Sequence, residues 1–309
     1  MKTTIPKLRK YIRNILLESP FDVPPAKAYP KNFKAFMQML KQHQNDVWIF
    51  FDTETTGLLY NEKHVQATEV AAVAYNMNGF WKKPSLIPDG VFNMKVALQQ
   101  DTISFMDQEP EEYPGEWDKT IKQILVMTQY DEGDLEKLTP EEVAQSFTDY
   151  LDSMRAVALR QGGKVRLIAQ NAIFDASIMN VLYSRSNLPV PRDLVWDTKI
   201  VFKNYLQSVL KYLDKKSKSP VKDEDRKIIN ALKKEGKWGP YMSASLGDII
   251  NAFDIKGGEN WHTAIADVDL TMKALYAVVR FLNAKGNFLK TQWSKPFDPR
   301  SGDPYNRRK

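Results

Sequence analysis

The chain has 309 residues, 43% hydrophobic and 27% charged, with 44 Lys and Arg against 38 Asp and Glu. That length can bury a large core, so one elaborated domain or one domain with appendages both fit. No cysteine is present, which excludes a disulfide framework, a thiol nucleophile and a Cys-ligated zinc site. No run approaches the ~20 apolar residues needed to span a bilayer, so no membrane partner is expected. A net charge of +6 and a pI near 9.1 favour a polyanionic partner. The charge is sided: basic residues crowd the first forty or so positions, residues 203–237 and the tail from Arg280, whereas residues 101–152 are acidic.

The first residues are basic, with no acid before Glu18 and no apolar signal-peptide core. A cytoplasmic protein is the expectation, an organelle presequence the alternative. Leu8, Tyr11, Ile12, Ile15 and Leu16 recur at helical spacing opposite Lys7, Arg9, Lys10 and Arg13, predicting an amphipathic basic helix. Such a helix docks on its own protein or on a replication or repair partner. Pro20, Pro24, Pro25 and Pro30 then enforce an extended connector. Phe33, Phe36, Met37 and Leu40 predict a second helix, and residues 1–45 are read together as an N-terminal helical extension.

Residues 47–51, Val-Trp-Ile-Phe-Phe, form an apolar run without 3.6-residue periodicity, which reads as a buried central strand. It ends in Asp52-Thr53-Glu54-Thr55-Thr56-Gly57. Side chains two apart on a strand share a face, so Asp52 and Glu54 project together and repel unless a cation lies between them. A second strand is expected over residues 67–75, with Glu69 its one charge, a turn at Asn76-Met77-Asn78-Gly79, and a third strand near 91–96. Residues 97–138 read as an acidic insertion with one short helix near 121–127, and their acidity argues against contact with a nucleic-acid backbone. Thr139-Pro140-Glu141-Glu142 is a strong helix start, carrying an N-cap threonine, a proline at the first helical position and acids in the first turn. Gly162-Gly163 ends that helix, and residues 165–169 form a strand, so a crossover makes it a parallel neighbour of the central strand. A helix bearing Phe174, Ile178, Leu182 and Tyr183 follows, then an edge strand at 194–196.

Residues 203–240 carry two helical patterns around a lysine-rich linker at 215–220. They read either as a solvated insertion or as a basic arm that tracks phosphates, with Tyr212 and Trp238 as stacking surfaces. Ser245-Leu246-Gly247-Asp248 starts a helix over 246–253, and a long helix over 264–282 closes a domain spanning 46–285. Residues 286–309 form a basic tail.

Two more groups join the Asp52/Glu54 pair. Ala169-Gln170-Asn171-Ala172-Ile173-Phe174-Asp175 places Asp175 just after a strand, in the first turn of a helix. His262-Thr263-Ala264-Ile265-Ala266-Asp267 places a histidine before the last helix and an acid within its start. Singly each is weak, since a helix-start acid and a loop histidine are common.

In this order the three pieces resemble the exonuclease motifs of the DnaQ-like, DEDDh-type 3′-to-5′ exonuclease superfamily. Thr68-Glu69-Val70-Ala71-Ala72-Val73, Asp197-Thr198 and the stretch from Ser245-Leu246 to Asp254-Ile255 support the match, which covers about residues 48–282. The resemblance implies a ribonuclease-H-like α/β fold, a mixed sheet of five to six strands flanked by helices. It implies two Mg²⁺ or Mn²⁺ ions held by Asp52, Glu54, Asp175 and Asp267, with His262 taking the proton of the attacking water. Histidine here, rather than a tyrosine in a Tyr-x-x-x-Asp pattern, marks the DEDDh branch. Thr53, Thr55, Gly57, Asn171 and Phe174 become candidates for holding the terminal nucleotide, Phe174 reading first as a core-packing residue. The implied partner is a single-stranded nucleic acid 3′ end, DNA slightly ahead of RNA. A catalytically silent nucleic-acid-binding scaffold remains the alternative of another class, disfavoured by the complete acid set.

Overall fold

The computed structural model describes residues 24, 28–30, 32–57, 65–80, 82–109, 119–131, 137–191, 195–215, 222–235, 241–257 and 262–285. The basic helix expected at 8–16, most of the proline connector, Lys216, Lys218, Trp238 and the tail from 286 lie outside the described residues, as does the side chain of Tyr212.

Chain order is α1 (Phe33–Gln42), β1 (Val47–Thr55), β2 (Ala67–Asn76), a short 3₁₀ turn, β3 (Ser85–Lys95), α2 (Gln100–Met106), α3 (Ile121–Met127), α4 (Pro140–Arg160), β4 (Val165–Ala169), α5 (Ala172–Arg185) and β5 (Val195–Asp197). A bent helix then runs through α6 (Thr198–Val201), a π-helical turn (Phe202–Leu206) and α7 (Gln207–Lys215). It is followed by α8 (Asp223–Leu232), the two-residue strands β6 (Lys233–Lys234) and β7 (Tyr241–Met242), α9 (Leu246–Ala252) and α10 (Ala264–Lys285).

The main sheet has the order β3-β2-β1-β4-β5. β2 runs antiparallel to β1 and β3, and β4 runs parallel to β1 and β5. This is the five-stranded mixed sheet of a ribonuclease-H-like α/β fold. β1 reads as a continuous apolar run because both of its faces are covered. Trp48 and Phe50 pack into one core with α1, the π-helical turn, α7 and α10, whereas Val47, Ile49 and Phe51 pack into another with α4 and α5. Strand parity therefore assigns Asp52 and Glu54 to the α10 face, and Thr53 and Thr55 to the α4/α5 face.

Local chemistry sets the element ends. Thr139 Oγ1 accepts the Glu142 N–H at 3.2 Å while Glu142 Oε2 accepts the Thr139 N–H at 2.8 Å, closing a capping box with Pro140 in the first turn. At the other end of α4, Gly163 is required for close approach: a Cβ there would stand 2.1 Å from the Asn45 carbonyl oxygen. The 42–46 turn is thereby seated against the start of β4, where Asp46 Oδ1 also accepts the Lys164 N–H at 2.9 Å.

The described part of the 203–240 region is built into the core. Leu206, Leu210, Leu213, Ile229 and Leu232 are buried with α9 and α10, and Lys233 and Lys234 pair with Asp214 and Asp248 at 3.2 and 3.0 Å. The residues before β1 are stitched in as well: Asp197 N–H donates to the Tyr29 hydroxyl, Tyr205 O–H donates to the Pro30 carbonyl, both at 2.6 Å, and Phe36 stacks on Tyr205. Among the described residues no helix is long and apolar enough to cross a membrane.

Candidate active site

The carboxyl ends of β1, β4 and β5 converge on one edge of the sheet, where open α/β sheets place their ligands. β1 delivers Asp52 and Glu54 there. From the α10 side comes Asp267, one turn into its helix, its N–H bonded to the Thr263 carbonyl at 3.1 Å. Asp52, Glu54 and Asp267 each offer a carboxylate oxygen, all within 4.8 Å of one another.

Asp175 arrives on the opposite face, from the first turn of α5. It is 2% exposed, and its Oδ1 accepts both the Thr53 N–H (3.1 Å) and the Thr53 hydroxyl (2.9 Å). Thr53, itself buried, thus spends its hydroxyl on an acid. The turn before α5 needs a left-handed residue, and Asn171 fills it with φ 65°. That turn is pinned by Asp197 at the end of β5, whose Oδ1 accepts the N–H groups of Asn171 (3.0 Å) and Lys199 (2.8 Å). Lys199 Nζ donates to the Asn171 side chain at 3.1 Å.

His262 is exposed, with φ 69°, two residues before α10. Its charge draws the Asp267 carboxyl downward against the larger upward effect of burial. Phe174 is half-buried against the α4/α5 core. Thr55 Oγ1 donates to the Gly57 carbonyl at 2.9 Å, folding back the turn that ends β1. A Cβ at Gly57 would meet Val65 and the Ile124 side chain of α3 at 3.9 and 4.0 Å, so the acidic insertion borders this turn.

The electrostatics are those of crowded acids. Burial first, then Asp175, Glu54, Asp267 and Glu69, push the Asp52 carboxyl well above the usual carboxylate range. Burial with Asp267 and Glu69 pushes Glu54 up to about 7. Asp175 is raised by burial although both Thr53 bonds favour its ionised form. Asp267 Oδ1 is buried without a hydrogen-bond partner, and a carboxylate with an orphaned oxygen that also belongs to a cluster of three acids calls for a cation. The donors are all hard carboxylate oxygens, which suits Mg²⁺ or Mn²⁺.

Two acids outside the four motif positions belong to this neighbourhood. Asp197 holds the Asn171 turn, and Glu69 lies directly across from Glu54 on β2. Both stood in stretches that supported the resemblance, Thr68–Val73 and Asp197-Thr198, but neither was given a role, because the partners they hold lie far away in the chain.

No protein-family model matches the chain, and no curated protein is significantly similar to it. Among solved structures it is similar to Escherichia coli exonuclease I in complex with a dA16 oligonucleotide, at 15% identity and a TM-score of 0.46, over 80% of this chain and 43% of that one. It is likewise similar to an exonuclease I from Methylocaldum szegediense, at 12% identity and a TM-score of 0.46, over 79% of this chain and 43% of that one. The chain matches less than half the length of either protein.

Proposed function

We propose that the chain is a metal-dependent 3′-to-5′ exonuclease that releases nucleoside monophosphates from single-stranded DNA. The observation that carries this reading is the meeting of Asp52, Glu54 and Asp267 oxygens within 4.8 Å, at the end of the central strand. Half-buried like charges at that spacing repel one another, and a divalent cation makes the arrangement favourable.

Asp52, Glu54 and Asp267 hold the metal, with Asp175 joining from the other face of β1. When bound, divalent ions neutralise the phosphate oxygens and acidify a coordinated water. His262 takes the proton of the attacking water at an imidazole nitrogen, as the water oxygen bonds to the terminal phosphorus. The P–O3′ bond breaks, the shortened strand keeps its O3′, which is protonated from solvent, and the last residue leaves as a 5′-monophosphate. Its exposed turn lets His262 exchange that proton with bulk water. Thr53 holds Asp175 in one orientation through two hydrogen bonds. Asn171 and the Gly57 turn, which lie next to Asp175 and Glu54 along the chain, contact the terminal nucleotide in this reading.

Hydrolysis of 5′-labelled single-stranded DNA and RNA oligonucleotides, with Mg²⁺, Mn²⁺ or EDTA, tests this. The expected result is a metal-dependent ladder shortening from the 3′ end, lost in Asp52→Ala and slowed at least a hundredfold in His262→Ala. Faster trimming of RNA would reassign the substrate. Binding without cleavage by the intact protein would refute the nuclease reading and favour a scaffold.

A further inference from the structure

Glu69 poses a problem of its own. It is 6% exposed on β2 and faces Glu54 directly across the β1/β2 pair. Like charges opposite one another in a sheet are destabilising; Asp52 feels the charge of both members of this pair, and Asp267 adds its own charge against Glu69. A neutral residue would relieve that repulsion at no cost to the strand.

Its contacts explain what the carboxyl oxygens do. Glu69 Oε2 accepts the N–H of Ala264, the first residue of α10, at 3.1 Å. The first N–H groups of a helix have no partner within it, and the helix dipole favours an anion there. On the other side Lys95 of β3 stands opposite Glu69, and the Asn93 side chain also bonds to it. Glu54, Glu69 and Lys95 thus form one row across three strands, and its middle member reaches the tip of α10. The Glu69 carboxylate is occupied by protein donors, whereas Asp267 keeps an oxygen without one. Glu69 is therefore built as a bracket rather than as a ligand.

The helix tip it holds carries the chemistry. Asp267 is three residues beyond Ala264 and on the same side of the helix. His262 is two residues before, in a left-handed conformation that a non-glycine residue keeps only when its surroundings hold it. From this geometry we infer that Glu69 is a positioning residue, fixing the entrance of α10 to the sheet so that Asp267 and His262 are set against Asp52 and Glu54. This rests on the nuclease reading for its consequence, but the tether itself does not.

The test compares Glu69→Gln, which keeps an oxygen for the Ala264 N–H, with Glu69→Ala, which does not. Three readouts apply: amide hydrogen exchange at residues 264–268, Mn²⁺ affinity without nucleic acid, and kcat and KM on a short oligonucleotide. Glu69→Ala is expected to speed exchange at that turn about tenfold or more, weaken Mn²⁺ about tenfold, and lower kcat about 30-fold with KM changed less than threefold. Glu69→Gln is expected to restore exchange protection, and Mn²⁺ affinity and kcat to within about threefold. Equal losses in both variants would overturn the inference, because the charge and not the tether would then matter. Unchanged exchange and Mn²⁺ affinity in Glu69→Ala would overturn it too. If Glu69→Ala does not fold, Glu69→Gln decides alone: unprotected amides at 264–268 or loss of Mn²⁺ binding would refute the bracket. Inactive wild-type protein with the expected exchange and Mn²⁺ results would sink the nuclease reading and leave the tether standing.

Discussion

Glu54 provides a quantitative probe of the acid cluster. Its carboxyl rises from an ordinary 4.5 to about 7, through burial and the charges of Asp267 and Glu69. A group whose pKa is raised by folding binds its proton more tightly in the folded state. The stability it contributes is therefore fully present below pH 4.5 and is lost as pH rises through 7. At about 1.4 kcal/mol per pH unit the interval corresponds to about 3 kcal/mol, reduced to roughly 2–3 kcal/mol because the group is only half-buried and partly screened. Glu54→Gln removes this loss. In EDTA the variant should match wild type near pH 4.5 and exceed it by roughly 2–3 kcal/mol at pH 8, or about 4 °C in Tm. Urea or thermal unfolding from pH 4 to 8 measures the difference. Mg²⁺ should then stabilise wild type more than the variant, since only the former regains a ligand. A constant offset between the two proteins across this pH range would refute the claim that Glu54 is held against its neighbours' charge.

Three further outcomes follow from single contacts. Thr53→Val removes the hydroxyl donor to Asp175 and leaves the backbone N–H, so kcat should fall about tenfold, the equivalent of one hydrogen bond of about 1.4 kcal/mol, and Thr53→Ser should recover it in single-turnover assays. Gly163→Ala forces a Cβ into the Asn45 carbonyl and should cost roughly 2–3 kcal/mol in denaturant midpoint measurements, with activity per folded molecule unchanged. Tyr29→Phe removes the acceptor for the buried Asp197 N–H and should cost about 1–3 kcal/mol by urea unfolding. A truncation stopping before Ala28 should spare that stability, and one running through Pro30 should lose it.

Much of the architecture was legible along the chain. The helix start at Thr139-Pro140 signals itself through local chemistry, and the capping box forms as those residue types require. The expected helix near 121–127 is α3, with Thr120 as its cap. The third strand is longer than its apolar stretch, running from Ser85, because its outer face is exposed and carries Leu86 and polar residues that lack a clean pattern. The 203–240 region shows the limit most clearly. Its lysines suggested solvent or phosphate, yet Leu206, Leu210, Leu213, Ile229 and Leu232 bury themselves against α9 and α10. A lysine-rich helix with one apolar stripe reads the same whether that stripe meets a core or a partner.

The acids divide along the same line. Strand parity alone puts Asp52 and Glu54 on one face, since alternation is a property of the extended backbone. The order of the three motifs, through the resemblance it carries, singles out four acids as hard-cation ligands and a histidine as a base. Which helix covers which face was decided only by tertiary packing: α10 brings Asp267 to the Asp52 side, and α5 brings Asp175 to the Thr53 side. The partnership of Glu69 with the Ala264 N–H joins residues 195 positions apart, a separation at which local propensity carries no information. Sequence set what each residue could do. The fold set which of them meet, because burial of both faces of β1 fixes the two helices that reach its end.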